Sequence, residues 1–532
     1  MASRCTAIAQ RIPFQRDGLI LLGTEACGDV SVPLYVDRHH VPQHTLRRKQ
    51  KVVRLADAAL EMVRLAPPSS AKQAAFSIGR CIIAHALDYD AGVLPCSSLL
   101  PHARELDQHV LRVTSATFDM TPDELSKENV LQMSLPVNYA GLQIDMPSRI
   151  APLARVARLV EMGPLLRAAI AAWDRSPDLP EVDPRRYDGV DEEIEGGIDN
   201  MLRERGIASV GACGRPTALP SSGAADPFRP AMPERHLLSK YLQHSASVCF
   251  LEMVDRAPVR DRARLWSASG PTAGKCIVSD LNIPGVALSD RQWTEALRWR
   301  LGISSLSAPD AQCKNAKSKD NELCGAAMDA CSDHAMLCKC GPFVNFRHDD
   351  IAEVYTEIFE EAGAYARREV FVPEWSTGST EAWLDVWAYG IPEIPDCLLD
   401  VTVRHPFASR YMPAASEAAG SAARSAEQEK RDRYPASGGR RVWPAAHESW
   451  GRLGEDAEAL LALCAAAMAR REHRRGRLPG NCIRRWRAQL DAAMMRGVAA
   501  QLVSARFGAP GRSRRRLPPS DQTGLEARCP LG

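Results

Sequence analysis

No stretch of about 18 consecutive apolar residues occurs in the 532-residue chain, so no membrane-spanning helix is expected. The first residues, MASRCTAIAQRIPFQRDG, have no apolar core of the secretory kind, and no signal peptide is read there. No internal repeat is visible. Sixteen cysteines are too few for a disulfide scaffold in a chain of this length. They are also unevenly spread: Cys313, Cys324, Cys331, Cys338 and Cys340 fall within 28 residues. Clumping without a secretion signal argues against disulfides and for metal binding in a reduced, intracellular compartment.

The rest of the composition, 45% hydrophobic and 25% charged, is that of a soluble globular protein with room for two to four domains. The net charge of +2 hides an asymmetry. Between Arg470 and Arg516 there are 14 arginines and no lysine against Glu472 and Asp491, a balance of +12 that leaves −10 for the remainder. Such polarisation points to a polyanion at the tail; a solvated basic helix that aids solubility is the alternative.

The sequence predicts an α+β, multidomain chain. Residues 1–172 read as helical, with amphipathic runs such as KVVRLADAALEMVRL and SRIAPLARVARLVEMGPLLRAAI. Residues 173–235 turn rich in Pro, Gly and Ser and read as a linker. Helices resume over 236–302, where Ser289 and Gln292 suit a capping box ahead of WTEALRWRL and Gly302 is placed to end it. The chemistry lies in 303–341 and 342–469, and 470–532 form an Arg-rich helical tail. In that tail Ile483, Trp486, Leu490, Ala493, Met494 and Leu502 share a stripe, with Arg484, Arg485, Arg487 and Arg496 mostly off it. This suits a helix that docks its apolar face and offers arginines to phosphates. The run RSRRR (512–516) suits a nuclear signal.

Structural zinc takes four soft or borderline ligands in a tetrahedron. Cys313, Cys324, His334 and Cys338 can supply them: His334 and Cys338 are one helical turn apart, and Gly325 lets the chain turn after Cys324. The ten residues between Cys313 and Cys324 exceed the usual two to four, and Cys331 and Cys340 are alternative ligands.

Beyond the cluster, RHDDIAEVYTEIFEEAGAY places Ile351, Val354, Tyr355, Ile358, Phe359 and Ala362 on one helical face. Three strand-like runs follow, REVFVP, EAWLDVWAY and CLLDVTV, the last two flanking GIPEIPD as a hairpin loop. Alternation puts Trp383, Asp385 and Trp387 on one face, and Leu398, Asp400 and Thr402 on one face of the next strand. If Asp385 opposes Asp400, the hairpin centre falls between Pro392 and Glu393, and the carboxylates lie about 5 Å apart. Such a pair favours a cation between them, and Mg²⁺ or Mn²⁺ held there can activate water against a phosphodiester. Lys430, on a predicted helix face with Glu427, Arg431 and Tyr434, is the candidate cation. Glu369 or Glu357 is the candidate third acid. The tract ASEAAGSAARSAEQ between Thr402 and Lys430 reads as loose.

Taken in order, DHAMLCKCG, FRHDDIAEVY, WLDVWAYG, LLDVTVRHP and EKRDRY resemble the C-terminal region of non-LTR retrotransposon proteins that carry a restriction-like endonuclease. The resemblance implies a CCHC knuckle of Cys313, Cys324, His334 and Cys338 around structural zinc. It implies a PD-(D/E)xK-like core in which Asp385 and Asp400 hold Mg²⁺ or Mn²⁺, Lys430 is the displaced lysine, and Arg347 and His348 position DNA together with Arg484, Arg485 and Arg487. VWPAAHESWGRLG (442–454) resembles the strand and turn that follow that core. GLILLGTEACGD resembles the segment after the polymerase palm, and LPVNYAGLQI and RARLWSASGPTAGK resemble the connecting region, as in protist and dinoflagellate-like copies. Residues 1–172 would then be a thumb-like region.

The chain departs from the family in four ways: no Tyr-x-Asp-Asp polymerase motif occurs, Leu384 precedes the first aspartate where the family has Pro or Ala, the knuckle carries an insertion, and the tract before Lys430 is loose. The implied function is target-site nicking of DNA in the nucleus. DNA and retrotransposon RNA are the implied partners, with a polymerase-bearing protein acting in trans and no membrane. The alternative is a catalytically dead nucleic-acid-binding remnant that keeps the knuckle and basic tail.

Overall fold

A computed structural model describes residues 19–21, 24–26, 41–65, 70–94, 96–155, 237–303, 312–317, 322–329, 332–376, 380–391, 394–437, 440–474 and 482–508. The expected linker, Cys331 and the RSRRR run lie outside these described residues. The chain divides into two compact units, 1–66, 74–136 and 143–253 against 67–73, 137–142 and 254–532.

Among its described residues, the first unit is helical beyond a short antiparallel pair, β1 (Leu19–Leu21) and β2 (Thr24–Ala26). α1 (Gln43–Leu65) contains the first amphipathic run and buries Val52, Ala56 and Ala59 at helical spacing. α2 (Ala71–Ile78) passes into one π turn, Gly79–Ile83, and is followed by α3 (Asp88–Val93), α4 (Cys96–Ala116) and α5 (Lys127–Ser134). Phe76, Ile83, Leu99, Leu106 and Met133 are fully buried among these helices. α6 (Leu237–Arg256) carries the chain into the second unit.

There α7 (Val259–Ser267) and α8 (Asp290–Leu301) come first. α8 starts and stops as its sequence dictates. Ser289 and Gln292 form the reciprocal capping box, and Gly302 ends the helix at φ 70°, a left-handed value that glycine adopts without a Cβ clash. α9 (Asp333–Leu337) and α10 (Phe343–Ala362) lead into a four-stranded sheet of order β3 (Tyr365–Phe371), β4 (Trp383–Ile391), β5 (Ile394–Arg404) and β6 (Val442–Glu448). The first three strands are antiparallel and β6 runs parallel to β5. The mixture of helices and one small mixed sheet agrees with the α+β expectation.

All six residues expected on the inner face of α10 are buried. α11 (Met412–Glu417) and α12 (Ser421–Arg433) connect β5 to β6, and α13 (Glu455–Arg474) and α14 (Cys482–Phe507) follow. Neighbouring residues of β6 show how the sheet is covered. His447 faces α10, where its Nε2 lies 3.2 Å from the Tyr355 hydroxyl, whereas Ala446 faces the other way, against Ala423 and Ala426 of α12. Alternation therefore puts α10 and α12 on opposite faces.

Three expectations are corrected. GIPEIPD is mostly strand: β4 continues to Ile391 and β5 begins at Ile394, which leaves a two-residue connection. The tract before Lys430 is not loose but helical. Ala423 and Ala426 pack on Ala446 of β6, and the buried Glu448 carboxylate accepts the Ala422 and Ala423 amides at 3.1 and 3.2 Å, capping α12. Within the basic tail, α14 docks more than the expected apolar face: it is a core helix packed on α8 and α10. Its apolar stripe from Trp486 to Leu502 is buried, and so are Gln489, Asp491, Gln501 and Ser504 around the rest of its circumference.

Candidate metal centres

On either side of the gap between Cys313 and Cys324, the described residues 312–317 and 322–327 pair as a narrow ribbon. Gln312 bridges Ala327 and Ala316 bridges Leu323, both antiparallel, so the two cysteines are brought side by side. The Cys313 amide donates to the Ala326 carbonyl at 2.8 Å and the Gly325 amide to the Cys313 carbonyl at 3.1 Å, with Gly325 at φ 63°. Two cysteines separated by ten residues in sequence are thus neighbours in space. On the other side α9 carries His334, and Cys338 caps that helix by donating its amide to the His334 carbonyl at 2.7 Å.

The four ligand atoms all lie within 4.8 Å of one another. Cys313 and Cys338 sulfurs are 3.8 Å apart, and Cys324 Sγ is 3.4 Å from His334 Nε2. A tetrahedron with metal–sulfur bonds of about 2.3 Å has edges of about 3.8 Å, so this group could hold a metal ion. Burial, together with the Cys338 and Cys324 sulfurs, pushes the Cys313 thiol up to about 12. A bound cation reverses that preference. Cys340 is not a member of the group. The ribbon is tied to the end of α14, where Lys314 N donates to Ala505 O at 2.7 Å and Ser504 Oγ to Asn315 Oδ1 at 2.6 Å.

The second constellation sits on the sheet. Val386 pairs with Leu399 and Trp387 with Leu398, the register in which Asp385 and Asp400 stand opposite one another. Each of the two carboxylates acts on the protonation of the other. Asp385 Oδ2 accepts the Val401 amide at 2.6 Å and lies 3.2 Å from His348 Nε2, which is also 3.1 Å from the Val401 carbonyl. Lys430 Nζ, one turn from the end of α12, donates to Asp400 Oδ2 at 2.7 Å.

The electrostatics of the pair are divided. Burial and the nearby Asp385 raise the Asp400 carboxyl to about 6 against the pull of Lys430. Burial acts to raise Asp385 too, but the His348 ring and the Val401 amide outweigh it and hold that carboxyl low. The same contact raises His348, with Asp385 overcoming the effect of burial. Two acids that repel each other in a poorly solvated place, with a lysine at one end and a histidine at the other, form a site whose charge a divalent cation would balance.

The other expected site residues are placed differently. Glu369 lies across from Asp385 in the β3–β4 register but is exposed at φ 53°, and Glu357 is on the exposed side of α10. Neither joins the aspartates: among the described residues the cysteine–histidine group alone brings three or more ligand atoms within 4.8 Å of one another.

Arg347 is not offered to DNA. It is 6% exposed, crosses α14 at Gly497 and donates to Gln501. His348, expected to contact DNA, lies against the acid pair. Nothing in its sequence position distinguishes the two roles, because its partners are 37 and 53 residues away. The tail arginines are engaged too, Arg485 in two hydrogen bonds to Glu361 at 2.7 and 2.5 Å and Arg487 with Glu458 at 2.6 Å. Arg484 is exposed. Neither a protein-family model nor any curated protein matches this chain.

Proposed function

We propose that the second unit is a divalent-metal-dependent DNA endonuclease of the restriction-like kind found in non-LTR retrotransposon proteins, with the Cys/His group as a structural zinc knuckle. The convergence of Asp385, Asp400 and Lys430 from β4, β5 and α12 carries this reading. Asp385 and Asp400 would hold Mg²⁺ or Mn²⁺, ions that take one or two protein carboxylates and complete their shell with water and phosphate oxygens. Such an ion supplies an activated water and charge stabilisation at the phosphodiester.

The chain's own groups have separable tasks. His348 and the Val401 amide fix the Asp385 carboxylate, leaving its orientation independent of substrate. Lys430, a proton donor at 2.7 Å from Asp400, orients water or stabilises the phosphate as negative charge grows on it. Cys313, Cys324, His334 and Cys338 would hold zinc with four protein ligands, a structural rather than catalytic arrangement. DNA as substrate, retrotransposon RNA and a polymerase-bearing protein as partners, and the nucleus as location follow from this reading.

The test is nicking of supercoiled plasmid in Mg²⁺ or Mn²⁺ by the full chain and by Asp385→Asn, Asp400→Asn and Lys430→Ala. The expected result is metal-dependent nicking that each substitution reduces at least a hundredfold. Nicking that survives both aspartate substitutions would sink the assignment. DNA binding by the wild type without any nicking would favour the non-catalytic remnant.

A further inference from the structure

α12 packs on β5 and β6, and on the β3–β4 half of the same face Tyr365, Arg367 and Tyr389 are exposed, open among the described residues. Register places Tyr365 opposite Tyr389, Arg367 opposite Trp387, and Trp387 opposite Leu398, so these side chains share one face. Asp400 is the next residue of β5 on that face, about 6.7 Å beyond Leu398. The rings form a set: Trp387 lies 6.2 Å from Tyr365 and 6.4 Å from Tyr389, centroid to centroid. Trp387 is held in place, its indole N–H donating to Asp396 at 2.5 Å, while Tyr365 and Tyr389 are 64% and 58% exposed. Arg367 is exposed and forms no ion pair among the described residues, whereas Asp396, the carboxylate at this end of the face, is already neutralised by Arg440 at 2.8 Å. The open half of the face therefore offers aromatic rings beside an exposed arginine, with the exposed Glu369 two residues farther along β3.

Exposed clusters of large rings on a soluble protein mark a surface that meets a partner. Rings on a sheet beside an arginine suit the flat faces of bases and the phosphates between them. A duplex does not suit them, because its base faces are covered and it presents only phosphates and groove edges. Spacing points the same way. Same-face side chains along a strand are about 6.7 Å apart, about twice the 3.4 Å base step of a duplex strand. A strand laid on these rings is stretched and unstacked.

We propose that Tyr365, Trp387, Tyr389 and Arg367 form a stacking surface for unpaired DNA bases, and that the strand cut at Asp385 and Asp400 is single-stranded beside the scissile phosphate. The second half rests on the nuclease reading; the first does not. The test is fluorescence anisotropy with labelled oligo-dT and with a duplex of equal length, in EDTA-free buffer without divalent metal. It is run on the full chain, the double variant Tyr365→Ala/Tyr389→Ala and the double variant Tyr365→Phe/Tyr389→Phe, each checked for an unchanged unfolding midpoint.

The expected result is tighter binding of oligo-dT than of duplex. The alanine variant weakens oligo-dT binding about tenfold or more, the phenylalanine variant restores most of it, and duplex binding barely moves. Unchanged oligo-dT affinity in the alanine variant, or an equal loss for duplex, overturns the stacking surface even if plasmid nicking is found. Loss of oligo-dT affinity in a protein that nicks nothing keeps the surface and rejects only the nuclease.

Discussion

Glu427 of α12 is pulled two ways. It accepts the Asp456 amide at 3.0 Å and so helps start α13, but burial raises its carboxyl to about 7, with Asp456 and Glu455 adding to the rise. An acid whose folded pKa exceeds its unfolded value binds more protons in the native state between the two. Its contribution to stability is full below about 4.5 and is lost as pH rises through about 7. Glu427→Gln keeps an acceptor for the amide and removes the charge, so its stability relative to the wild type should climb between pH 5 and 8. Denaturant midpoints at several pH values measure this, and parallel curves would contradict it.

Glu369 is the second case. A glutamate at φ 53° is strained by about 1–2 kcal/mol, less the roughly 0.5–1 kcal/mol that glycine's chain entropy costs. Glu369→Gly should therefore stabilise by on the order of 0.5–1 kcal/mol, while nicking is retained because its carboxylate stands apart from the acid pair. Urea denaturation and the plasmid assay check the two halves.

At this scale the Asp385–Asp400 pairing was legible, because alternation and a short Gly- and Pro-containing connection leave one register that joins the two. Arg347 was not. An arginine at the start of a helix reads as exposed, and only Gly497, far along the chain, makes room for it.

Among the elements, α14 departs most from its appearance in sequence. A Cβ on Gly497 would stand 2.3 Å from Arg347 Cγ and 2.5 Å from its Cβ. Two effects compete in Gly497→Ala: helix propensity favours alanine by about 1 kcal/mol, and overpacking costs about 1–3 kcal/mol. With contacts that short to the base of a buried side chain, overpacking wins, and the variant should lose about 1–2 kcal/mol in urea denaturation.

Arg485 tests whether the same helix contacts DNA as well as docking. Arg485→Ala leaves Glu361 with the Trp486 indole as its remaining donor, at 2.7 Å. The pair is about one-third exposed, so solvent screening limits the loss to about 1 kcal/mol. The salt dependence of DNA binding should not change; a slope lower by about 1 would return Arg485 to the phosphates. The apolar stripe of α14 was visible from spacing alone, but the carboxylates that occupy its arginines were not, since Glu361 and Glu458 come from other helices.

Across the second unit, the knuckle and the sheet are linked through α14, whose last turn holds the ribbon that carries Cys313 and Cys324. Removing a structural metal should therefore loosen more than the knuckle. One zinc per chain is expected, and chelation or Cys338→Ser should lower the unfolding midpoint by on the order of 10 °C, at about 2–4 °C per kcal/mol. Faster hydrogen exchange over 500–507 should accompany it. A midpoint indifferent to chelator, or zinc absent from the purified protein, would contradict the knuckle. The four ligands were legible from residue type, and what spacing concealed was the ribbon that closes the ten-residue gap, since backbone pairing of so short a segment leaves no apolar pattern behind.

The most direct measurement of the acid pair is anomalous diffraction from crystals of the full chain soaked in Mn²⁺. A manganese peak is expected within about 2–2.5 Å of oxygens from both Asp385 and Asp400, lost in Asp400→Asn, with Lys430 beside it. Manganese absent from that position at saturating concentration, with Lys430 still paired to Asp400, would contradict that expectation.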